Sequence, residues 1–239
     1  MTCDDVSPSA SPKTTGTLYG IGIGPGDAEL LTLKAVRLLQ SCPVLAWPAP
    51  LEGEGLARTI AAPHIPAGKT EIAIRLSFRP ERDDTDAAYD NAAATIAGHL
   101  QAGRDVAVLC EGDPLFFGSF IYLLTRLRDR FPVQVVPGIA SPMAAAAVAL
   151  HPLSTLEDAV AIIPATRAEA DIERLLAAAD SAVIMKIGRH LPKVRRVLDR
   201  LNLTSKALVV ERATQDRQRL IPLADLAEAP YFSLILVHA

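Results

Sequence analysis

One stretch, Asp105 to Ser119, constrains the fold more than any other, and it reads DVAVLCEGDPLFFGS. Its first part, Val106 to Cys110, is a run of five apolar residues. This run predicts a short strand buried on both faces, as in a parallel sheet. A loop follows, and apolar residues at helical spacing then run from Phe116 to about Arg130. Because open α/β sheets bind ligands at the carboxyl ends of their strands, the loop is a candidate binding site.

The loop itself, Glu111-Gly112-Asp113-Pro114, leaves two interpretations open. Gly112 has no β-carbon, so it can adopt a positive φ or let a ligand approach the backbone closely. Asp113 can accept a hydrogen bond from its own following backbone, which makes a turn, or it can bind a ligand directly. A simple tight turn and a binding loop are both compatible with these residues.

Strand-like and helix-like segments alternate along the rest of the chain, which predicts an α/β fold with parallel or mixed sheets. The break at His151-Pro152-Leu153-Ser154 predicts a junction between two α/β domains, residues 17–152 and 153–239. Residues 1–16 are rich in Ser, Thr and Pro and predict a disordered tail, not a signal peptide. The predicted strands are 18–23, 43–47, 71–76, 106–110, 133–136, 159–163, 182–187, 207–210, 219–222 and 231–237, and the predicted helices are 28–41, 59–61, 86–101, 116–130, 141–150, 167–179 and 191–201.

Composition argues against several functional classes. The formal net charge is −3, the pI is about 6.0 and 5% of the residues are aromatic, so we expect no nucleic-acid partner. No apolar run reaches the roughly 18 residues of a membrane span, so we expect no membrane partner. The cysteines, Cys3, Cys42 and Cys110, have neither metal-ligand spacing nor a disulfide pattern. We therefore expect a cytoplasmic protein without a bound metal.

The first predicted strand leads into a glycine-rich turn, GIGIGPGD at residues 20–27. A dinucleotide-binding GxGxxG motif would need a third glycine where Pro25 or Asp27 stands. No Gly-Lys-Ser/Thr follows, so the turn is not a P-loop either. The glycines fit a close-packed strand-to-helix turn and equally a loop that lies close to a ligand.

Five separated motifs give the chain a more specific resemblance. They are YGIGIGPGD (19–27), LCEGDPLFFGSF (109–120), VVPGIAS (135–141), SAVIMK (181–186) and VERAT (210–214). In this order and spacing the chain resembles the tetrapyrrole methylases, which methylate corrin and sirohaem precursors with S-adenosylmethionine (SAM). The resemblance covers about Thr17 to the C-terminus. It implies the class III SAM methyltransferase fold, with two α/β domains, an active-site cleft between them, and S-adenosylhomocysteine as product.

The resemblance also implies a set of donor-binding positions. Met185 matches a strand end that packs on adenine, although a core methionine that fills a gap is the other interpretation. Lys186 departs from the Met-Gly pair that is commoner in the family, so either of these two side chains is a candidate for the donor contact. The full set expected to contact SAM is Pro25, Glu111, Gly112, Asp113, Phe116, Ala140, Ser141, Met185, Lys186, Ala213 and Thr214.

The motif at residues 109–120 implies precorrin-2, a tetrapyrrole with many carboxylates, as the acceptor. Any single arginine can instead be a solvated surface charge, but a cluster would attract this anion. The residues expected to bind the acceptor are Gly24, Arg75, Arg79, Arg189 and Arg212. Another acceptor of the same family, such as cobalt-factor 2 or uroporphyrinogen, and a non-catalytic binding module are the alternatives.

No catalytic residue is identified from the sequence. Methyl transfer from SAM mainly requires alignment of donor and acceptor, so a protein nucleophile is unnecessary, and a general base is needed only if proton loss is slow. The resemblance also implies a homodimer, and the apolar segment from Tyr231 to Val237 is a candidate for its interface.

Overall fold

A computed structural model of this chain describes residues 14–77 and 82–238, with the backbone alone for residues 82–84. Arg79 and most of the predicted N-terminal tail lie outside the described residues. Among the described residues, no helix is long and apolar enough to cross a membrane. The strands are β1 (Leu18–Gly22), β2 (Val44–Pro50), β3 (Thr70–Leu76), β4 (Val106–Cys110), β5 (Val133–Val136), β6 (Val160–Pro164), β7 (Ser181–Met185), β8 (Ala207–Glu211), β9 (Arg219–Pro222) and β10 (Ser233–His238). The α-helices are α1 (Leu33–Ser41), α2 (Leu56–Ala61), α3 (Arg82–Gln101), α4 (Phe120–Leu127), α5 (Ser141–Ala149), α6 (Glu169–Ala177) and α7 (Leu191–Arg200).

The first compact unit consists of the described residues of Met1–Ile21, Leu33–Cys110 and Phe117–Val136. Its five-stranded sheet has the order β3-β2-β4-β1-β5, and the β1–β5, β2–β3 and β2–β4 pairs are parallel. β4 is the central strand and all of its residues are buried, as the apolar run predicts. α3 and α4 cover one face of the sheet, where Ile96 and Phe120 join a cluster with Val108.

The second compact unit consists of Gly22–Thr32, Glu111–Phe116 and the described residues of Pro137–Ala239. Its sheet has the order β6-β7-β10-β8-β9. β6 and β7 are parallel, whereas β10 is antiparallel to both β7 and β8, and β8 is antiparallel to β9. One apolar cluster joins this sheet to α6 and α7, and a second joins its other face to α5. The predicted α/β class is thus confirmed in both units.

The structure departs from the prediction at two helix starts. The helix expected over 28–41 is a 3-10 turn, Ala28–Leu30, followed by α1, because Leu31 between them is extended (φ −69°, ψ 139°). Asp27 is the N-cap of the short turn, since its carboxylate accepts a hydrogen bond from the Glu29 N–H at 2.8 Å. The helix expected from residue 116 begins at Phe120, and Phe117 before it has a φ of 54°. The other predicted elements are confirmed to within a few residues at each end.

The compact units do not follow the order of the chain. Residues 137–152 belong to the second unit, where α5 packs on the second sheet, whereas the sequence predicts a domain junction near residue 152. A compact unit is not by itself a domain that folds alone. The junction therefore stays a prediction.

Candidate functional site

The loops after β1 and β4 are joined by backbone hydrogen bonds. The Gly112 N–H donates to the Gly24 carbonyl at 2.8 Å, and the Gly24 N–H donates to the Gly112 carbonyl at 3.3 Å. Gly112 has a φ of 66°, so the positive φ predicted as one of its two roles is confirmed. This pair of bonds fixes the backbone on which Glu111 and Asp113 stand.

The Asp113 carboxylate shapes the loop after β4. Its Oδ1 accepts a hydrogen bond from the Leu115 N–H at 2.9 Å, which is the turn-making contact that one interpretation predicted. Its Oδ2 accepts a hydrogen bond from the Gly138 N–H at 3.1 Å and so ties this loop to the loop after β5. Both oxygens therefore have a structural partner. Direct contact between Asp113 and a ligand stays a prediction.

Gly138 lets the loop after β5 lie directly against the other two loops. A β-carbon at residue 138 would lie 2.1 Å from the Gly112 carbonyl oxygen and 2.7 Å from the Gly22 Cα. A β-carbon cannot approach the backbone so closely, so glycine alone fits at this position.

The loop after β5 leads into α5, for which Ala140 is the N-cap residue and Ser141 the first helical residue. A β-carbon at Gly112 would lie 3.8 Å from the Ala140 Cα and 3.9 Å from the Ser141 nitrogen. The first N–H groups of an α-helix have no partner within the helix. Gly112, Ala140 and Ser141, three of the residues predicted to bind SAM, are thus neighbours at the start of α5, where backbone N–H groups are available as hydrogen-bond donors.

Side chains tie the loop after β8 to the glycine-rich loop. The Asp27 N–H donates to Thr214 Oγ1 at 3.2 Å, and Gln215 Nε2 donates to the Pro25 carbonyl at 2.9 Å. Ala213 is buried in the apolar cluster between α5 and the second sheet. Gln215 was not predicted as a site residue, and its position directly after the VERAT motif is the only signal in the sequence. Pro25, Ala213 and Thr214, three of the residues predicted to contact SAM, therefore lie close together.

Met185 is the last residue of β7, and it packs half-buried against the same apolar cluster as Ala213. This position fits both of its interpretations, as a core methionine and as a contact for adenine. Lys186 follows with a φ of 58° and an exposed side chain. Phe116 is half-buried, and its N–H donates to the Asp113 carbonyl at 3.4 Å.

The predicted acceptor-binding arginines differ in their surroundings. Arg75 belongs to the first unit, where its Nη1 donates to the carbonyls of Pro50 and Gly53 at 2.8 and 2.5 Å. Arg189 is exposed in the 3-10 turn after β7, with its Nε 3.5 Å from His190 Nε2. Arg212 is half-buried in the loop after β8, and its φ is 49°. Of the three predicted arginines that the structure describes, Arg212 is the one next in sequence to a residue expected to contact SAM, Ala213.

Glu111 has no hydrogen-bond or ion-pair partner among the residues that the structure describes. Its side chain is accessible to solvent, yet the surrounding protein desolvates the carboxyl group and raises its pKa to about 7. Partial desolvation, and after it the Glu111 charge, also raise the pKa of the Tyr231 phenol. A carboxyl group with a pKa near neutrality can exchange a proton at ordinary pH.

Metal ligands are not grouped at these loops. Within residues 14–77 and 82–238, no set of three or more His, Cys, Asp or Glu side chains could hold a metal ion. The described residues of these loops instead offer backbone N–H and carbonyl groups, the half-buried Arg212 cation, the Glu111 carboxyl group and the apolar side chains around Met185. Such a set can bind an organic molecule with a charged end and an aromatic end.

The chain is similar to known proteins over most of its length. The family model described as Tetrapyrrole (Corrin/Porphyrin) Methylases matches residues 17–229. A precorrin-2 C(20)-methyltransferase of Sinorhizobium sp is 44% identical over 232 residues, which cover 93% of this chain and 95% of the relative. A cobalt-precorrin-2 C(20)-methyltransferase of Salmonella typhimurium is 31% identical, over 93% of this chain and 96% of the relative.

A solved structure is similar over a comparable length. The uroporphyrin-III C-methyl transferase from Thermus thermophilus, complexed with S-adenyl homocysteine, matches with a TM-score of 0.69 and 26% identity. The match covers 93% of this chain and 92% of the other.

Proposed function

We propose, because this chain belongs to the tetrapyrrole (corrin/porphyrin) methylase family, that it methylates C-20 of precorrin-2 with SAM in cobalamin biosynthesis. S-adenosylhomocysteine is the second product. The observation that carries this proposal is the similarity to the Sinorhizobium relative, which extends over nearly the whole of both chains.

The loops of the second unit fit the donor. SAM has an amino-acid end, which needs N–H donors and acceptors, and an adenine, which needs an apolar surface and backbone partners. The N–H groups of Ala140, the N-cap residue of α5, and of Ser141, its first residue, lie beside Gly112 and are suited to the carboxylate. The Ala213–Thr214 backbone and the Met185 side chain are suited to the adenine. SAM supplies a methyl group on a sulfonium, which is already activated for transfer.

The contribution of the chain to the transfer itself is alignment. In-line displacement needs no protein nucleophile, and correct orientation alone can be worth about 7–11 kcal/mol. The loops are prepared for this task because the Gly24–Gly112 bonds, the Asp113 contacts and the Gln215–Pro25 bond fix their backbones. Asp113 would thus act on the shape of the loop, whatever contact it makes with the donor.

The acceptor is an anion, so a cation near the donor loops would help to hold it. Arg212 is the candidate that we favour in the second unit, since it is half-buried and directly precedes Ala213. Cobalt-precorrin-2 is a second candidate acceptor, and the similarity to the Salmonella relative favours it.

The test compares the two acceptors. The purified protein is incubated with SAM and either metal-free precorrin-2 or cobalt-precorrin-2, and S-adenosylhomocysteine and product mass are measured. We expect one S-adenosylhomocysteine for each singly methylated product, with the metal-free acceptor used faster. Faster use of the cobalt compound would favour the second candidate, and no S-adenosylhomocysteine with either would contradict the proposal.

We further propose a homodimer in the cytoplasm. Within the predicted interface segment, the apolar residues of β10 do not support the dimer, because they are buried between β7 and β8, whereas Tyr231 and Phe232 before them are exposed. A group of exposed apolar side chains in the first unit supports the dimer, since Phe117, Ile121 and Tyr122 are 45%, 43% and 38% exposed. Cys42 and Cys110 are present as buried thiols, which suit a reducing compartment. A one-chain mass in sedimentation at micromolar concentration would contradict the dimer.

A further inference from the structure

We propose that Glu111 is the general base that removes the proton from the newly methylated ring carbon of the acceptor. The inference rests on the proposed function and deepens it. It also changes the role of Glu111, which the family resemblance assigns to donor binding.

The chemistry of the transfer leaves one proton to be removed. The ring carbon forms a bond to the methyl group with π electrons of the conjugated system, while the methyl–sulfur bond breaks and its electron pair stays on sulfur. The ring carbon then carries a methyl group and a hydrogen, and the conjugated system carries the positive charge. Transfer of that hydrogen as a proton to a carboxylate returns the C–H electron pair to the ring. The carboxylic acid then passes the proton to solvent.

Five other titratable groups in this unit do not suit this task. Asp113 has a structural hydrogen bond on each oxygen, and Asp27 caps the turn through the Glu29 N–H. The Tyr231 phenol has a raised pKa, so it is protonated at neutral pH and cannot accept the proton. Lys186 and Arg212 are cations and have no lone pair to offer.

The position of Glu111 suits it. Glu111 is the first residue after β4, at the carboxyl end of the strand, and the two bonds between Gly112 and Gly24 fix the backbone next to it. Its side chain is accessible, so a large acceptor can reach the carboxylate without any unfolding of the loop. No partner among the described residues has to be displaced before the carboxylate can accept a proton.

The raised pKa of Glu111 also suits the role of general base. A general base is most effective when its pKa lies near the working pH, and desolvation raises the pKa of Glu111 to about 7. The Tyr231 phenol lies within electrostatic reach of Glu111, whose charge contributes to its raised pKa. The carboxylate form increases as the pH rises through about 7, so a rate limited by proton removal rises over the same range.

The raised pKa of Glu111 has the opposite effect on stability: the rate rises with pH, whereas the stability of the folded protein falls. Because the folded pKa lies above the usual value, the folded state holds its proton to higher pH than the unfolded state, and stability is lost as the pH rises towards 7. Glu111→Gln is therefore expected to be at least as stable as the wild type at pH 8, which separates a catalytic defect from a folding defect.

The experiment measures turnover of precorrin-2 with SAM by the wild type, Glu111→Gln and a matched control, Glu157→Gln, which changes an exposed carboxylate elsewhere in the same unit. We expect kcat of Glu111→Gln to fall about 100-fold or more, with the affinity for S-adenosylhomocysteine unchanged by calorimetry. Deuterium at C-20 should slow the variant more than the wild type. Glu157→Gln should match the wild type.

The outcomes separate the two proposals. No S-adenosylhomocysteine from the wild type would overturn the proposed function and this inference with it. An active wild type with Glu111→Gln within threefold of its kcat would overturn the inference alone, as would a defect confined to donor affinity. If Glu111→Gln does not fold, the wild-type profile decides, and a kcat that is constant between about pH 6 and pH 8 would overturn the inference.

Discussion

The loops after β1 and β4 and the loops after β7 and β8 use the same left-handed backbone conformation, but with different residues. The first pair uses Gly24 (φ 76°) and Gly112 (φ 66°), whereas the second pair uses Lys186 (φ 58°), Arg212 (φ 49°) and Thr214 (φ 65°). The conformation costs a residue with a β-carbon roughly 1–2 kcal/mol, and it costs glycine little. The left-handed conformation is therefore energetically less favourable in the second pair of loops than in the first.

The difference shows what each region is built for. Gly112 lies where backbone meets backbone, with Gly24 bonded to it and Gly138 packed against it. In the second pair the side chains themselves make contacts or carry charge. Thr214 Oγ1 accepts a hydrogen bond from the Asp27 N–H, and Arg212 is a half-buried cation. Backbone strain of this kind is typical of functional sites, where the surrounding structure holds it in place.

The largest expected effect tests the close packing of the first region. In Gly138→Ala the new methyl group would overlap the Gly112 carbonyl, so a loop must move, and we expect a loss of about 3 kcal/mol in the free energy of unfolding. For a chain of this size the melting temperature should fall by roughly 6–12 °C. Gly188→Ala is the matched control, because a β-carbon there meets nothing within 4 Å. Equal melting of the two variants would refute the packing argument.

A smaller loss of stability is expected at Gly112, where a substitution is disfavoured by the positive φ and not by steric overlap with neighbouring residues. A β-carbon there would have no neighbour closer than 3.8 Å, so Gly112→Ala should cost only the roughly 1–2 kcal/mol of the left-handed conformation. Gly112→Val places a branched side chain where the donor must approach, so SAM binding should weaken far more than folding stability. Thermal melting and calorimetry with SAM separate the two quantities. Normal SAM binding by Gly112→Val would mean that the loop is only a structural turn.

The smallest expected effect on stability is at Arg212, in the second region. Arg212→Gly removes the backbone strain but adds freedom to the unfolded chain, so the net change should stay within about 1 kcal/mol of zero. The KM for the anionic acceptor should rise roughly 10- to 150-fold, because a charged hydrogen bond is worth about 1.5–3 kcal/mol, while S-adenosylhomocysteine binding is unchanged. Arg212→Lys, which keeps the charge, should recover part of the acceptor affinity. Strong destabilisation by Arg212→Gly would show that the side chain supports the fold.

Much of this fold follows from patterns that are local in the sequence. The apolar run at residues 106–110 predicted a strand buried on both faces, and β4 is the central strand of its sheet. The alternation of strand and helix predicted the α/β class, and five motifs predicted which loops form the candidate site. Gly112 could be predicted to have a positive φ because glycine is the residue that adopts it at little cost.

Other features depend on contacts that no local pattern carries. Leu31 interrupts a helical periodicity that continues through it in the sequence, and the loop before it makes hydrogen bonds to Thr214 and Gln215, which are distant in the chain. The left-handed conformations of Lys186 and Arg212 run against the preference of these residues, so tertiary structure has to impose them. Glu111 has no hydrogen-bond partner within the described part of the chain, and this could be recognised only from the structure, because no local pattern in the sequence shows the contacts of a side chain.

The central place of β10 has a consequence for synthesis on the ribosome. β7 ends at Met185 and β8 at Glu211, yet the strand that pairs with both begins at Ser233. At about 5–20 residues per second, β7 waits for roughly 2–10 s with an apolar edge unpaired. Such an edge can pair with other nascent chains. The elongation rate over these last segments, and the chaperones present during them, should therefore decide how much of the synthesised chain becomes folded protein.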